Sequence, residues 1–134
     1  MSEAILIGAN LTDANAIGAS FVKADLSTAR LIGAKLSADF TSAKLVRADL
    51  SRSDLRNARL NSAILVAATL TNASLTPMNF ESTDLTGADL SGVNLSRSTG
   101  NNAIFAGADL TNTGINTGAF RASDFTGASL DGAR

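Results

Sequence analysis

Residues 35–45 read KLSADFTSAKL, and this stretch contains the single irregular step of a repeat that runs through the chain. Leu36 and Phe40 are four residues apart, whereas Phe40 and Leu45 show the five-residue spacing found everywhere else. The steps connect 26 centres from Leu6 to Leu130, and all 17 leucines and all six phenylalanines lie on these centres. A repeat this strict governs the whole fold.

A period of five fits neither a helix, which needs about 3.6 residues, nor a strand, which needs two. The position two before a centre is Ala in 18 of 26 cases, so Ala and the centre can point inward together from a short extended segment. Eight of the eleven glycines lie two residues after a centre, where a tight turn can require a positive φ. Pro77 is also at such a corner, where we expect it to break no ladder bond within a segment. Four sides would close a coil of about 20 residues, and successive coils would pair as parallel strands.

The clearest copies of the repeat read ADLSR, ADLSG, ADLTN and GANLT. This tandem A(D/N)LxX pattern resembles the pentapeptide-repeat family, and the resemblance covers residues 4–133. It implies an all-β fold, a right-handed quadrilateral parallel β-helix, here with about 6.5 coils at four centres a coil. We expect one domain over residues 1–134.

Every fourth centre falls in the same column of the predicted coil. With the one-residue deletion placed between Leu36 and Phe40, Phe40 lies directly over Phe21, so we expect a shortened corner and not a domain boundary. Ala16 and Gly100 are undersized centres, and at Gly100 either neighbouring rings fill the gap or a void remains. The residues predicted to define the core are Phe21, Phe40, Leu60, Leu70, Phe80, Phe105, Phe120 and Phe125.

The composition argues against catalysis. The chain contains no Cys and no His, so the usual nucleophile and acid–base pairs are absent, and no residues are assigned to a catalytic, cofactor or metal site. Asp89 and Asp109 stack one coil apart, but two exposed carboxylates make a poor cation site. We expect no enzyme and no cofactor.

The N-terminus, MSEAILIGANL, has no basic start and no long apolar run, so we expect no signal peptide and a cytoplasmic location. No stretch approaches the roughly 20 apolar residues that a membrane span needs, so we expect no membrane insertion.

The surface gives the candidate interfaces. Residues 1–80 carry eight Lys or Arg and six Asp or Glu, whereas residues 81–134 carry three and six. A basic belt over residues 44–59 wraps several faces without aromatic residues between the charges, so we expect no nucleic-acid binding. One face carries outward Ile and Val in several coils, which indicates either a protein interface or plain β-propensity. The candidate interface residues are Ile5, Ile7, Val46, Ile64, Val66, Ile104, Phe125 and Leu130.

Two functions fit these observations. The first is a structural scaffold that binds a protein partner whose identity the sequence does not give. The second comes from the resemblance: family members that confer fluoroquinolone resistance resemble DNA and bind DNA gyrase. Such a mimic should be acidic and longer, whereas this chain has a basic middle and about 31 Å of axis, roughly nine base pairs. The repeats run to Ala133, and the sequence shows no pattern typical of a terminal cap. Because an uncovered end exposes strand edges that can pair, we also predict an end-to-end homodimer with Phe125 and Leu130 near the contact.

Overall fold

The computed structural model describes residues 3–134, so Met1 and Ser2 of the predicted domain lie outside the described residues. The chain is a right-handed quadrilateral β-helix. Over residues 3–134 there is no helix, and each side of a coil contributes a single bridged residue instead of a longer strand. The bridges, all parallel, follow the four predicted columns and define four faces, which begin at Ile5 (face 1), Asn10 (face 2), Asn15 (face 3) and Ser20 (face 4).

The backbone N–H groups of a typical repeat have four kinds of acceptor. In residues 24–28, the first N–H closes the preceding turn on Phe21 O (2.9 Å), and the second donates to Ala4 O in the coil before (2.9 Å). The third and fifth donate to Lys44 O (2.7 Å) and Val46 O (2.8 Å) in the coil after. The fourth, on Ser27, has no backbone acceptor and donates to Oδ1 of Asp25 (3.0 Å). In this repeat the aspartate before the centre therefore completes the hydrogen bonding of its own turn.

The corners take a left-handed backbone at the second turn residue. Eight of these positions are glycine, but most are not: φ is 58° at Arg52, 58° at Asn72 and 54° at Ala67. In each of these corners a backbone hydrogen bond spans the turn, as from Ser53 N to Leu50 O (3.1 Å). The positive φ at the second central residue is that of a type II turn, so the repeat accepts an unfavourable conformation at residues other than glycine.

The middle of the solenoid is packed with the column residues. Phe21, Phe40 and Phe80 are almost inaccessible to solvent, as are the residues Leu60, Leu70 and Phe105. Phe120 and Phe125 are only partly buried and pack against the end of this core. The rings of Phe105 and Phe125 stack with centroids 4.8 Å apart and an interplanar angle of 4°. The core is thus dense from the second coil to the sixth and looser at both ends.

The deletion shortens one corner without interrupting the ladder. Ala38 N donates to Leu36 O across three residues (2.6 Å), where other corners use four. Asp39 still pairs with Ser20 below and Arg59 above. The rings of Phe21 and Phe40 stack at 5.0 Å with an interplanar angle of 10°, so the aromatic column stays in line.

The expectation that Pro77 would leave the ladder intact was wrong. Among residues 3–134, the bridges skip the pair Ser74 and Asn94 on face 3 and the pair Arg59 and Asn79 on face 4, which flank the corner at Pro77. At most other corners the backbone N–H of the residue equivalent to Pro77 donates to a carbonyl of the next coil. Proline has no N–H, so this bond is missing here. Side chains bridge the gap instead: Thr76 Oγ1 donates to Asn94 O, and Met78 N donates to Ser98 Oγ (3.1 Å).

A neighbouring ring fills the space at the undersized centre Gly100. A Cβ placed on Gly100 would lie 2.7 Å from Cδ1 of Phe120, and one on Gly118 would lie 2.8 Å from Cε2 of the same ring. The ring of Phe120 is therefore held between two glycines. It also makes an edge contact with Phe105, with centroids 5.6 Å apart.

Replacing Leu70 with alanine should lower the free energy of unfolding by about 2–5 kcal/mol, because the side chain is fully buried in a middle coil. Urea denaturation measures this loss. The control is Thr71→Ala, an outward neighbour that should change stability by less than about 0.5 kcal/mol. A loss below about 0.5 kcal/mol for Leu70→Ala would show that the assigned register is wrong.

Replacing Gly100 with alanine should destabilise the protein by about 1–3 kcal/mol, because the added methyl group would clash with Phe120. A smaller side chain at position 120 removes the clash. In a double-mutant cycle, Phe120→Leu should therefore recover part of the loss caused by Gly100→Ala. Additive effects of the two substitutions would contradict the proposed ring contact.

Candidate interaction surface

Face 1 is a parallel ladder that combines apolar and charged residues. Its bridged residues are, from the first coil to the last, Ile5, Asp25, Lys44, Ile64, Asp84, Ile104 and Asp124. Every isoleucine in this row is therefore flanked by charged residues in the adjacent coils. A flat surface of this kind can combine apolar contact with charge recognition.

The apolar side chains of face 1 form separate groups. Ile5 and Ile7 of the first coil are 81% and 59% exposed, and Ile104 is 38% exposed. Val46, Ile64 and Val66 are half-buried and lie in two adjacent coils, since Lys44 pairs with Ile64 and Arg47 N donates to Val66 O (2.9 Å). These three residues, named here the valine cluster, are the longest run of neighbouring apolar side chains on the face.

The remaining candidates lie at the C-terminal end, away from the valine cluster. Leu130 is 45% exposed, and Phe125 is partly buried beneath the ring of Phe105. The structure therefore does not bring the eight candidate interface residues together in one surface. It separates them into an N-terminal group, the valine cluster, Ile104 and the C-terminal end.

The carboxylates are engaged in the turns. At twelve positions an Asp or Asn Oδ1 accepts the N–H two residues later, at 2.8–3.3 Å. Sequence reasoning missed this role, although the A(D/N)LxX pattern carried its signal: Asp and Asn make this turn with a short side-chain oxygen, and Ser and Thr do so more weakly. Asp89 and Asp109 pair across adjacent coils, and each is bonded to its own turn. Across residues 3–134, no group of three or more acidic side chains is arranged to hold a metal ion.

These hydrogen bonds stabilise the ionised form of several carboxyl groups. Hydroxyl and backbone donation from Thr41 lowers the pKa of Asp39, with a smaller contribution from the charge of Arg59. Donation from Thr111, first through its backbone N–H, lowers the pKa of Asp109. Ser27 and Thr126 lower the pKa values of Asp25 and Asp124 in the same way, whereas a hydrogen bond from the Arg56 guanidinium is the main cause of the lowered pKa of Asp54.

The basic belt is only partly neutralised. Arg56 donates to both carboxylate oxygens of Asp54, at 2.8 and 2.7 Å, and Arg59 lies 3.8 Å from Asp39. Within the described part of the chain, the ion pairs do not include Arg47 or Arg52, which lie at the corners on either side of face 2. The middle of the solenoid therefore presents positive charge, on more than one face.

Folding stability should fall in acid. A carboxyl group whose pKa is lower in the folded state stabilises the fold above its unfolded pKa, about 3.9, and that stabilisation is lost as the pH falls through the lower folded value. Asp89→Asn with Asp109→Asn should leave neutral-pH stability unchanged or slightly higher, because Asn can accept the same N–H and like charges are removed. The acid loss should be smaller in this double variant. Urea unfolding at pH 7, 4 and 2.5 measures both effects.

The control for that experiment is Asp109→Ala, which removes the acceptor and should destabilise the protein at every pH. A calcium-dependent rise in melting temperature that disappears in the double variant would instead reveal a cation site.

Comparison with known families identifies the class of protein. The model of the family described as "Pentapeptide repeats" matches residues 4–38, 37–72 and 79–113, with eight copies of the repeat. The chain belongs to the pentapeptide-repeat family, as the sequence predicted. No protein with a curated function matches its sequence.

Solved structures of the same family resemble this chain. HetL, from the cyanobacterium Nostoc sp. strain PCC 7120 and involved in heterocyst differentiation regulation, is 24% identical with a TM-score of 0.50, over 100% of this chain and 69% of HetL. A pentapeptide-repeat protein of the Arabidopsis thaliana thylakoid lumen is 32% identical with a TM-score of 0.44, over 75% of this chain and 63% of that one. QnrB1, a plasmid-mediated fluoroquinolone resistance protein, is 20% identical with a TM-score of 0.41, over 98% and 79%. The likeness to HetL confirms the predicted fold class.

One negative finding bears on membranes. Residues 3–134 contain no helix that is long and apolar enough to cross a bilayer.

Proposed function

We propose that this protein is a non-catalytic scaffold that binds a protein partner through face 1. The observation that supports this function is the valine cluster, Val46, Ile64 and Val66, the longest run of neighbouring apolar side chains on face 1. The cluster lies between Lys44 and Asp84, which would give a partner charges of both signs around an apolar centre. Interfaces commonly have this arrangement of an apolar core and a polar rim.

The absence of catalysis is part of the same proposal. Aspartates on the faces, such as Asp49, accept hydrogen bonds from their own turns, and buried hydroxyls donate to nearby backbone carbonyls, as Ser53 Oγ does to Leu50 O (2.7 Å). The polar groups are thus used to hold the fold. None of these pairs a nucleophile with a base, which catalysis by covalent or acid–base chemistry requires.

Self-association through the C-terminal end is a second contact that we propose. The contact would involve Leu130, which is 45% exposed, and the partly buried Phe125. A two-fold arrangement would close on itself, unlike a head-to-tail stack.

DNA mimicry is the weaker alternative. A mimic of DNA needs a continuous acidic surface, and here Arg47 and Arg52 interrupt the negative charge in the middle of the solenoid. A supercoiling assay with DNA gyrase separates the two functions. Inhibition at micromolar protein would favour mimicry, and no inhibition would leave the scaffold function.

The test of the scaffold function compares Val66→Glu, Leu130→Glu and the control Ala106→Glu, which adds the same charge on face 1 outside the valine cluster. Light scattering should show a dimer for the unaltered protein and for Ala106→Glu, and a monomer for Leu130→Glu. Pulldown from the native host should recover a partner with both Leu130→Glu and the control but not with Val66→Glu. Circular dichroism checks that each variant is folded.

A monomer at tens of micromolar would disprove the self-association. A dimer broken only by Val66→Glu would move the self-contact to face 1, and recovery of the same partner by all three variants would remove the valine cluster from the interface.

A further inference from the structure

An apolar cavity of about 150 Å³ lies between the first two coils. Its lining includes Leu11, Ala16 and Phe21 of the first coil and Leu31 and Leu36 of the second. Three other depressions in the described part of the chain are larger, but they lie at corners and on faces lined largely by Asn, Ser, Thr, Gly and Arg. This cavity differs from them because it reaches into the core.

The cavity originates in the sequence. The third column consists of Ala16, Leu36, Leu55, Leu75, Leu95 and Ile115, so alanine replaces a larger side chain only at its first position. The side chain of a leucine at position 16 would occupy much of the space above Leu36. Where such a side chain is missing, the surrounding structure closes the gap only partly.

The walls show where the cavity opens. Leu31 and Leu36 are fully buried and form its floor. Leu11 and Ala16 are partly exposed, so the cavity opens on the first coil. Asn15 is the only polar residue in the lining, and its Oδ1 accepts the N–H of Ile17 (3.3 Å), which engages that oxygen in a turn.

Water has little to gain in such a place, because it needs two to four polar partners and the walls offer almost none. An enclosed apolar cavity of about 150 Å³ engineered in another protein stays dry and takes benzene or xenon. We propose that the cavity between the first two coils is a binding site for a small apolar molecule of about the size of a benzene ring. The site selects by shape and apolar contact, so a polar molecule of similar size binds more weakly.

The test is a benzene titration of the protein labelled at its leucine methyl groups and followed by NMR. Saturable shifts should appear at Leu11, Leu31 and Leu36, and phenol should bind at least tenfold more weakly because its hydroxyl would find no partner. Ala16→Leu should fill the cavity, weaken benzene binding at least tenfold and raise the melting temperature. The control Ala106→Leu adds the same apolar bulk on face 1 and should leave benzene binding unchanged.

Ala16→Val provides a smaller filling side chain if Ala16→Leu does not fold, and it should weaken benzene binding to an intermediate degree. Shifts that do not saturate, or that appear equally at methyl groups far from the cavity such as those of Leu95, would overturn the proposal. Unchanged benzene affinity in a folded Ala16→Leu or Ala16→Val variant would overturn it as well.

Discussion

The fourth N–H of each repeat is the constraint on which the rest of the structure depends. Four of the five backbone N–H groups find carbonyls in the same turn or in an adjacent coil, but the group after the centre points away from all of them. An unpaired backbone donor is costly wherever water reaches it poorly. At twelve positions a short side-chain oxygen of Asp or Asn at the preceding outward position accepts this N–H, which accounts for the many Asp and Asn residues on the side faces. That choice adds acidic residues to the faces, and the lowered pKa values of Asp39 and Asp109 predict that the fold is sensitive to acid.

Much of the fold was readable from the sequence, because the five-residue period and one deletion place every centre in its column. Phe40 over Phe21 follows from counting alone. The contacts of Phe120 do not follow from counting, because they depend on the direction in which its ring points. The ring lies against Gly100 and Gly118, whose φ values are not in the left-handed region. The effect of Pro77 also escaped the pattern, because the lost N–H belongs to a bond between coils, not to the corner itself. The candidate interface residues were chosen by their outward position, and only the three-dimensional structure separates the valine cluster from Ile5, Ile104 and Leu130.

The two surfaces proposed to bind other molecules differ in physical origin. The valine cluster consists of large side chains placed outward on complete coils, so binding there would add apolar contact to a rigid, finished surface. The cavity above Leu36 results from a side chain that is too small, Ala16, in an otherwise complete column. A partner at the valine cluster gains area and charge complementarity, whereas a ligand in the cavity gains contacts that the protein itself lacks. Substitutions at one of the two sites should therefore have little effect on the other.

The uniform distance along the chain between bridged residues has a consequence for folding. Bridges join residues 19 or 20 positions apart in the first coils as in the last, so each coil closes a loop of the same length. A relative contact order of roughly 0.15 follows, in the range of mixed domains and below that of most β-sandwiches. Because each coil touches only its neighbours, ordering can start in any coil and spread in both directions, and the end coils open first when the protein is stressed. The densely packed middle coils, with Phe40 and Leu70 at their centre, are the natural place for that process to begin.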